Sequence, residues 1–176
     1  VELDLKFNWE SEQVIGIATL DISAYNEPQP MISLNARGFE IQEVTYILSD
    51  TTYTPNFSYD SSVLAIEPLK PLEKGDTHSV RIKYVANPSQ LDAGSGTAIT
   101  SNQGLYFINP KGEIDGKPRQ IWTQGEPECN SAWFPSVDYP HEKFTQDIFL
   151  TVKNEFHTIS NGKLIYSEAH PDGTRT

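Results

Sequence analysis

The sequence predicts an all-β domain built mainly of antiparallel strands. Three observations carry this: period-two alternation of apolar and polar residues, closely spaced turn signals, and no capped window with helical period. Twelve prolines in 176 residues also work against long helices. Many short strands with regular turns pack as a sandwich or as an open, curved antiparallel sheet system.

The first strand is the clearest. Val1, Leu3, Leu5, Phe7 and Trp9 alternate with Glu2, Asp4, Lys6 and Asn8, so one face is apolar and the other polar. After the polar turn Glu10-Ser11-Glu12, the apolar run from Val14 to Ile22 predicts a second strand, and the short turn makes the pair a hairpin. Further strands are predicted over 31–35, 39–48, 63–67 and 78–86; in the last, Val80, Ile82 and Tyr84 alternate with Arg81 and Lys83. Later strands are predicted over 104–109, 119–124, 146–153, 157–160 and 163–167. Turn signals separate them at Asn26-Glu27-Pro28, Arg37-Gly38, Lys74-Gly75-Asp76, Asn161-Gly162 and Pro171-Asp172-Gly173. Asp92 to Thr97 reads as a long surface loop rather than a linker, because the strands on either side have the same character.

The length fits one domain spanning 1–176. With 13 basic and 24 acidic residues the net charge is −11, and the basic residues form no run. Such a chain is repelled by phosphate backbones and anionic lipid surfaces, which argues against nucleic acid as a partner. No apolar stretch reaches the length of a membrane span. The chain opens inside a strand pattern with no basic signal segment, as a mature or excised piece would. The single cysteine, Cys129, allows no internal disulfide and no Cys/His ligand cluster, and it leaves the compartment open.

Candidate chemistry concentrates between Trp122 and Phe144. His141-Glu142 begins the zinc-protease pattern H-E-x-x-H, in which histidines at i and i+4 on one helical face bind zinc. Here the fifth residue is Thr145, and Pro140 stands where the helix would start. His78, His157 and His170 stand alone. The chain therefore carries no metal motif, and His141 reads as a loop residue. Gly94-Ser95-Gly96 lacks both the lysine of a phosphate-binding loop and the spacing of a serine nucleophile, so no catalytic residue is assigned. Among the acids, Asp60 and Glu128 read as solvated. Glu126 and Asp138 stand among Trp122, Trp133, Phe134, Pro135 and Pro140, where an acid is either satisfied by backbone donors or aimed at a ligand.

Thr123-Gln124-Gly125-Glu126-Pro127, then Phe134-Pro135-Ser136-Val137-Asp138-Tyr139-Pro140 and Lys143, resembles the N-terminal domain of zinc aminopeptidases of the aminopeptidase N family. The shared pattern is T-Q-x-E-P/A, then F-P-x-x-D-x-P, then a lysine. Thr158-Ile159-Ser160-Asn161-Gly162 and the upstream Gly104-Leu105-Tyr106 are similar to further family segments. The match is specific from about 104 to 165 and compatible from 1 to 90. It departs at Gly125, where an aromatic or small residue is usual, at Ser131-Ala132-Trp133, where an arginine commonly precedes F-P, and at Tyr139, where Glu is usual.

The resemblance implies a saddle-shaped all-β domain packed on a thermolysin-like catalytic domain that is not in this chain. It implies zinc in that absent domain, with no cofactor in this one. It also implies that Gln124 and Glu126 line the first substrate subsite, with Glu126 holding the free α-ammonium of a peptide substrate. Asp138 is expected to brace the turn between Pro135 and Pro140. Two other classes stay open at this point. One is a non-catalytic relative that keeps the domain as a scaffold; the other is an independent β-sandwich module that binds a ligand such as carbohydrate through exposed aromatic residues.

Overall fold

The computed structural model describes residues 1–48, 51–92 and 102–176. Strands dominate, and among the described residues the helical content is two short 3-10 turns, at Pro88–Gln90 and Asn130–Ala132. The segment 93–101, which includes Gly94-Ser95-Gly96 and most of the expected loop from Asp92 to Thr97, lies outside the described residues.

The strands in chain order are β1 (Glu2–Asn8), β2 (Gln13–Ile22), β3 (Ile32–Asn35), β4 (Phe39–Leu48), β5 (Thr51–Tyr53) and β6 (Phe57–Tyr59), then β7 (Val63–Ile66), β8 (His78–Ala86), β9 (Leu105–Ile108), β10 (Gln120–Thr123), β11 (Asp147–Lys153) and β12 (Thr174–Arg175). Seven of them form one sheet in the order β12-β11-β1-β2-β8-β4-β5. A three-stranded sheet, β3-β7-β6, and a two-stranded one, β10-β9, complete the set. β1 and β2 make the expected antiparallel hairpin, with Leu5 opposite Gly16. β1 pairs in parallel with β11, Leu3 opposite Ile148 and Leu5 opposite Leu150. Parallel neighbours need a long connection, and nearly the whole chain lies between these two.

Alternation decides what is buried. Leu3 and Leu5 on β1, Val14, Ala18 and Leu20 on β2, and Val80, Ile82 and Tyr84 on β8 point into one core. Leu34, Leu64, Ile66, Leu105, Phe107, Trp133 and Phe134 from the small sheets and the loop after β10 belong to the same core. The arrangement is sandwich-like, with the inner face of the large sheet covered by the smaller elements. The outward set on β2, such as Ile15, stays partly exposed.

β4 changes phase midway. Phe39 is buried, then Val44 and Tyr46, and the register against β8 shifts between Ile41 and Glu43. A bulge at Gln42 absorbs the extra residue, so that both apolar sets face the core instead of one facing water.

β5, β6 and β12 are two or three residues long, too short to show a period in the sequence. The strands expected over 157–160 and 163–167 are not present. Those residues run irregularly on the surface, with Ile159 96% and Leu164 and Ile165 each 77% exposed. Their residue types favour strand, but a strand forms only where a neighbour takes its backbone hydrogen bonds, and no described strand lies alongside.

Candidate functional site

Trp122 to Pro140 forms a continuous structure at the end of the β9–β10 hairpin. Trp122 pairs with Tyr106 across the ladder, and their rings stack 4.9 Å apart. The hairpin ends on Thr123 opposite Leu105, and the Gln124 N–H then donates to the Gly104 carbonyl at 2.8 Å. Gly104 has φ +67, a conformation that side-chain-bearing residues rarely adopt, and a Cβ there would collide with the Cys129 carbonyl. The glycine of Gly104-Leu105-Tyr106 therefore lets the loop after β10 close against β9.

From Gly125 the chain turns. The Cys129 N–H donates to the Gly125 carbonyl at 2.9 Å, and the Glu126-Pro127 peptide bond is cis. The 3-10 turn Asn130–Ala132 follows, and the Asn130 carbonyl accepts from the Trp133 and Phe134 N–H groups at 3.0 and 3.1 Å. The Asn130 carboxamide packs directly on Gly125, in space that any side chain would need.

The two acids singled out by their sequence context part company. Asp138 is buried, and its carboxylate accepts from the Ser131 N–H at 2.8 Å. It braces the 3-10 turn ahead of Pro135 rather than only the segment that holds it. Its own N–H donates to the Asn35 side-chain oxygen at 3.2 Å. Glu126 is exposed, and among the described residues its carboxylate has no hydrogen-bond or ion-pair partner. Apolar and proline-rich neighbours in the chain thus do not bury it. Gln124 is half-buried.

Residues far away in sequence clamp the loop to the core. Asn35, at the end of β3, exchanges both backbone hydrogen bonds with Ser136, at 2.7 and 3.1 Å. The Arg37 N–H donates to the Ser131 carbonyl at 2.7 Å, and its guanidinium donates to the Ser131 hydroxyl at 3.2 Å and the Asn102 carbonyl at 2.7 Å. A guanidinium thus reaches this loop from another element, at the segment where the family resemblance expects a local arginine. The fully buried Tyr84 donates its hydroxyl to the Trp133 carbonyl at 3.0 Å, while its ring stacks on Phe39 at 4.8 Å. Burial pushes the Tyr84 phenol upward, so it is protonated and able to donate. Sequence reading placed Asn35 in a strand and Arg37 in a turn but gave neither a part in this loop, and it did not single out Asn130.

Between the two motif segments lies a cleft of about 360 Å³, lined by Pro127, Asn130, Ser136, Asp138, Lys143 and Phe144 among others. His141 sits beyond it in an exposed turn, 3.4 Å from the Glu142 carboxylate and stacked on Tyr139. Among the described residues, no three His, Cys, Asp or Glu side chains come together in a way that could hold a metal ion. No helix among them is long and apolar enough to cross a membrane. Chemically, the loop presents one solvent-facing carboxylate, that of Glu126, and the cleft begins at the next residue, Pro127, with neither Gln124 nor Glu126 in its lining.

Comparison with known proteins places these features in context. The family model of the peptidase M1 N-terminal domain matches residues 1–176. A search of curated protein sequences finds no match. Among solved structures, a variant M1 zinc metallopeptidase from Deinococcus radiodurans bound to a Tyr-Ser-Ala substrate is similar in fold, with TM-score 0.76 and 18% identity over 99% of this chain. Native yeast LTA4 hydrolase is similar with TM-score 0.67 and 16% identity, again over 99% of the chain. The chain spans 36% and 25% of the lengths of these two proteins.

Proposed function

The chain belongs to the peptidase M1 N-terminal domain family, and from that premise we propose that it is the amine-recognising β domain of a zinc aminopeptidase. In this reading it packs on a catalytic domain outside residues 1–176, and it helps bind the free α-ammonium of a peptide substrate. The zinc of such an enzyme would be held by that other domain, since the described residues offer no ligand set.

The observation that supports the reading is the placement of Glu126. Its carboxylate faces solvent from a loop held by the Gly104 carbonyl, the Gly125–Cys129 hydrogen bond and the Asn130 contact. An exopeptidase must recognise a terminal cation, and a carboxylate preset by a rigid loop does so through a charge-assisted hydrogen bond. Asp138, by contrast, already spends one carboxylate oxygen on a backbone donor and serves the loop. Gln124, two residues before Glu126, would line the same subsite.

The test is kinetic and uses the full-length parent. A charged hydrogen bond contributes about 1.5–3 kcal/mol. Glu126→Ala is therefore expected to lower kcat/KM on free-amine peptides by roughly ten- to a hundredfold. Glu126→Gln, which keeps a neutral acceptor, should lose less. An unchanged kcat/KM in a stable Glu126→Ala protein rejects amine recognition, and unfolding of that variant assigns Glu126 a structural role.

A further inference from the structure

Gly125 stands between Gln124 and Glu126, yet its backbone does not call for glycine. Its φ is not positive, so it lies outside the left-handed region that side chains avoid. What excludes a side chain there is space. A Cβ on Gly125 would stand 2.3 Å from the side-chain oxygen of Asn130 and 2.8 Å from its Cγ and Nδ2. The Asn130 carboxamide thus fills the place of the missing side chain.

Among the described residues this carboxamide makes no hydrogen bond, so it acts by contact. The backbone of Asn130 is anchored: its carbonyl accepts from the N–H groups of Trp133 and Phe134, both core residues. The neighbouring Ser131 is held by Arg37 and Asp138. On the other side of the contact, the Glu126 carboxylate has no partner among the described residues, so the backbone that carries it sets its place. That backbone is held where the Gln124 N–H meets the Gly104 carbonyl, where the Gly125 carbonyl meets the Cys129 N–H, and where the Asn130 carboxamide packs on Gly125. The first two are backbone hydrogen bonds. The third is supplied by a side chain.

We propose that Asn130 is a positioning residue for amine recognition. Packed into the side-chain space of Gly125, its carboxamide fixes where Glu126 presents its carboxylate to a terminal ammonium. This inference rests on the reading of Glu126 given above, and Asn130 acts only through Gly125. Hydrogen bonds weaken steeply with distance and angle, so a displacement of about 1 Å removes a large part of a recognition contact. What Asn130 supplies is bulk behind the loop rather than an amide group. A side chain of the same shape without the amide therefore serves equally.

The test is competitive inhibition of the full-length parent, assayed on a phenylalanyl peptide, by L-phenylalanine and by 3-phenylpropanoate. The second compound lacks only the α-ammonium, so the ratio of its inhibition constant to that of L-phenylalanine reads the ammonium contact alone. A general loss of stability leaves this ratio unmoved. Glu126→Ala is expected to bring the ratio close to one. Asn130→Ala, which removes bulk but no hydrogen bond, should lower it roughly tenfold. Asn130→Leu, branched at Cγ like asparagine, should keep the wild-type ratio. An unchanged ratio in Asn130→Ala, beside a collapsed one in Glu126→Ala, overturns the positioning role and leaves the amine reading standing. A collapsed ratio in folded Asn130→Leu overturns the role as well, whether or not the alanine variant folds. A ratio that Glu126→Ala does not change rejects the amine reading, and this inference with it.

Discussion

The Asn130 carboxamide occupies the space that a side chain on Gly125 would need, and so ties the Glu126 loop to the 3-10 turn behind it. Gly125→Ala forces one of the two to move. Overpacking of this kind costs about 1–3 kcal/mol. Urea unfolding should show that loss, and Asn130→Ala in the Gly125→Ala background should recover most of it. Strictly additive losses in the double variant would show that the two residues do not compete for space.

Asp138 should be a stability residue. Its carboxylate is the acceptor for the buried Ser131 N–H, so Asp138→Ala leaves that donor unpaired, at a cost of about 1–3 kcal/mol. Asp138→Asn keeps an oxygen that can accept and should lose less. Equal unfolding midpoints for wild type and Asp138→Ala would contradict this role.

Asp60 gives a pH dependence with a definite sign. Its carboxylate accepts from the Val63 and Ser62 N–H groups at 2.7 and 2.8 Å, and these bonds hold its pKa below the ordinary carboxylate value. A group whose folded pKa is depressed adds stability above its unfolded pKa, and that stability is lost as pH falls through the folded value. Unfolding midpoints followed from neutral pH down through the carboxylate range, about pH 4 and below, should fall less steeply for Asp60→Ala than for wild type. Identical slopes for the two proteins would refute it.

Tyr46 and His78 form a buried pair on β4 and β8, with the phenol hydrogen-bonded to the His78 Nδ1. Burial, with smaller contributions from Tyr53 and Asp76, pushes the Tyr46 pKa up to about 12. The phenol is therefore protonated at neutral pH, and it shares a single hydrogen bond with Nδ1, while Nε2 lies 3.7 Å from the Asp76 carboxylate. Tyr46→Phe removes the hydroxyl and leaves a buried ring nitrogen without its partner, for a loss of about 1–3 kcal/mol in chemical unfolding. Wild-type stability in Tyr46→Phe would show that this hydrogen bond contributes nothing net.

The stretch carrying the candidate site was legible because its signals are local. T-Q-x-E and F-P-x-x-D-x-P stand within twenty residues, and Gln124, Glu126 and Asp138 could be named from them. The clamp was not legible. Asn35 and Arg37 lie about a hundred residues before the loop they hold, and the strand and turn patterns they belong to carry no sign of that contact. The strands expected over 157–160 and 163–167 show the opposite failure: the local pattern is present and the neighbour that would realise it is not among the described residues.

By itself the sequence determined the strand class and which face of the long alternating strands is apolar, because a pleat places successive side chains on opposite sides whatever the strand later pairs with. Leu3 with Leu5, and Val80 with Ile82 and Tyr84, were readable as core for that reason. Only the tertiary structure decided that β1 runs parallel to β11, that β4 bulges at Gln42, and that Asp138 is buried while Glu126 faces water. Pairing and burial depend on contacts between residues distant in the chain, and two acids in the same local company are separated only by which backbone donors the folded chain brings to them.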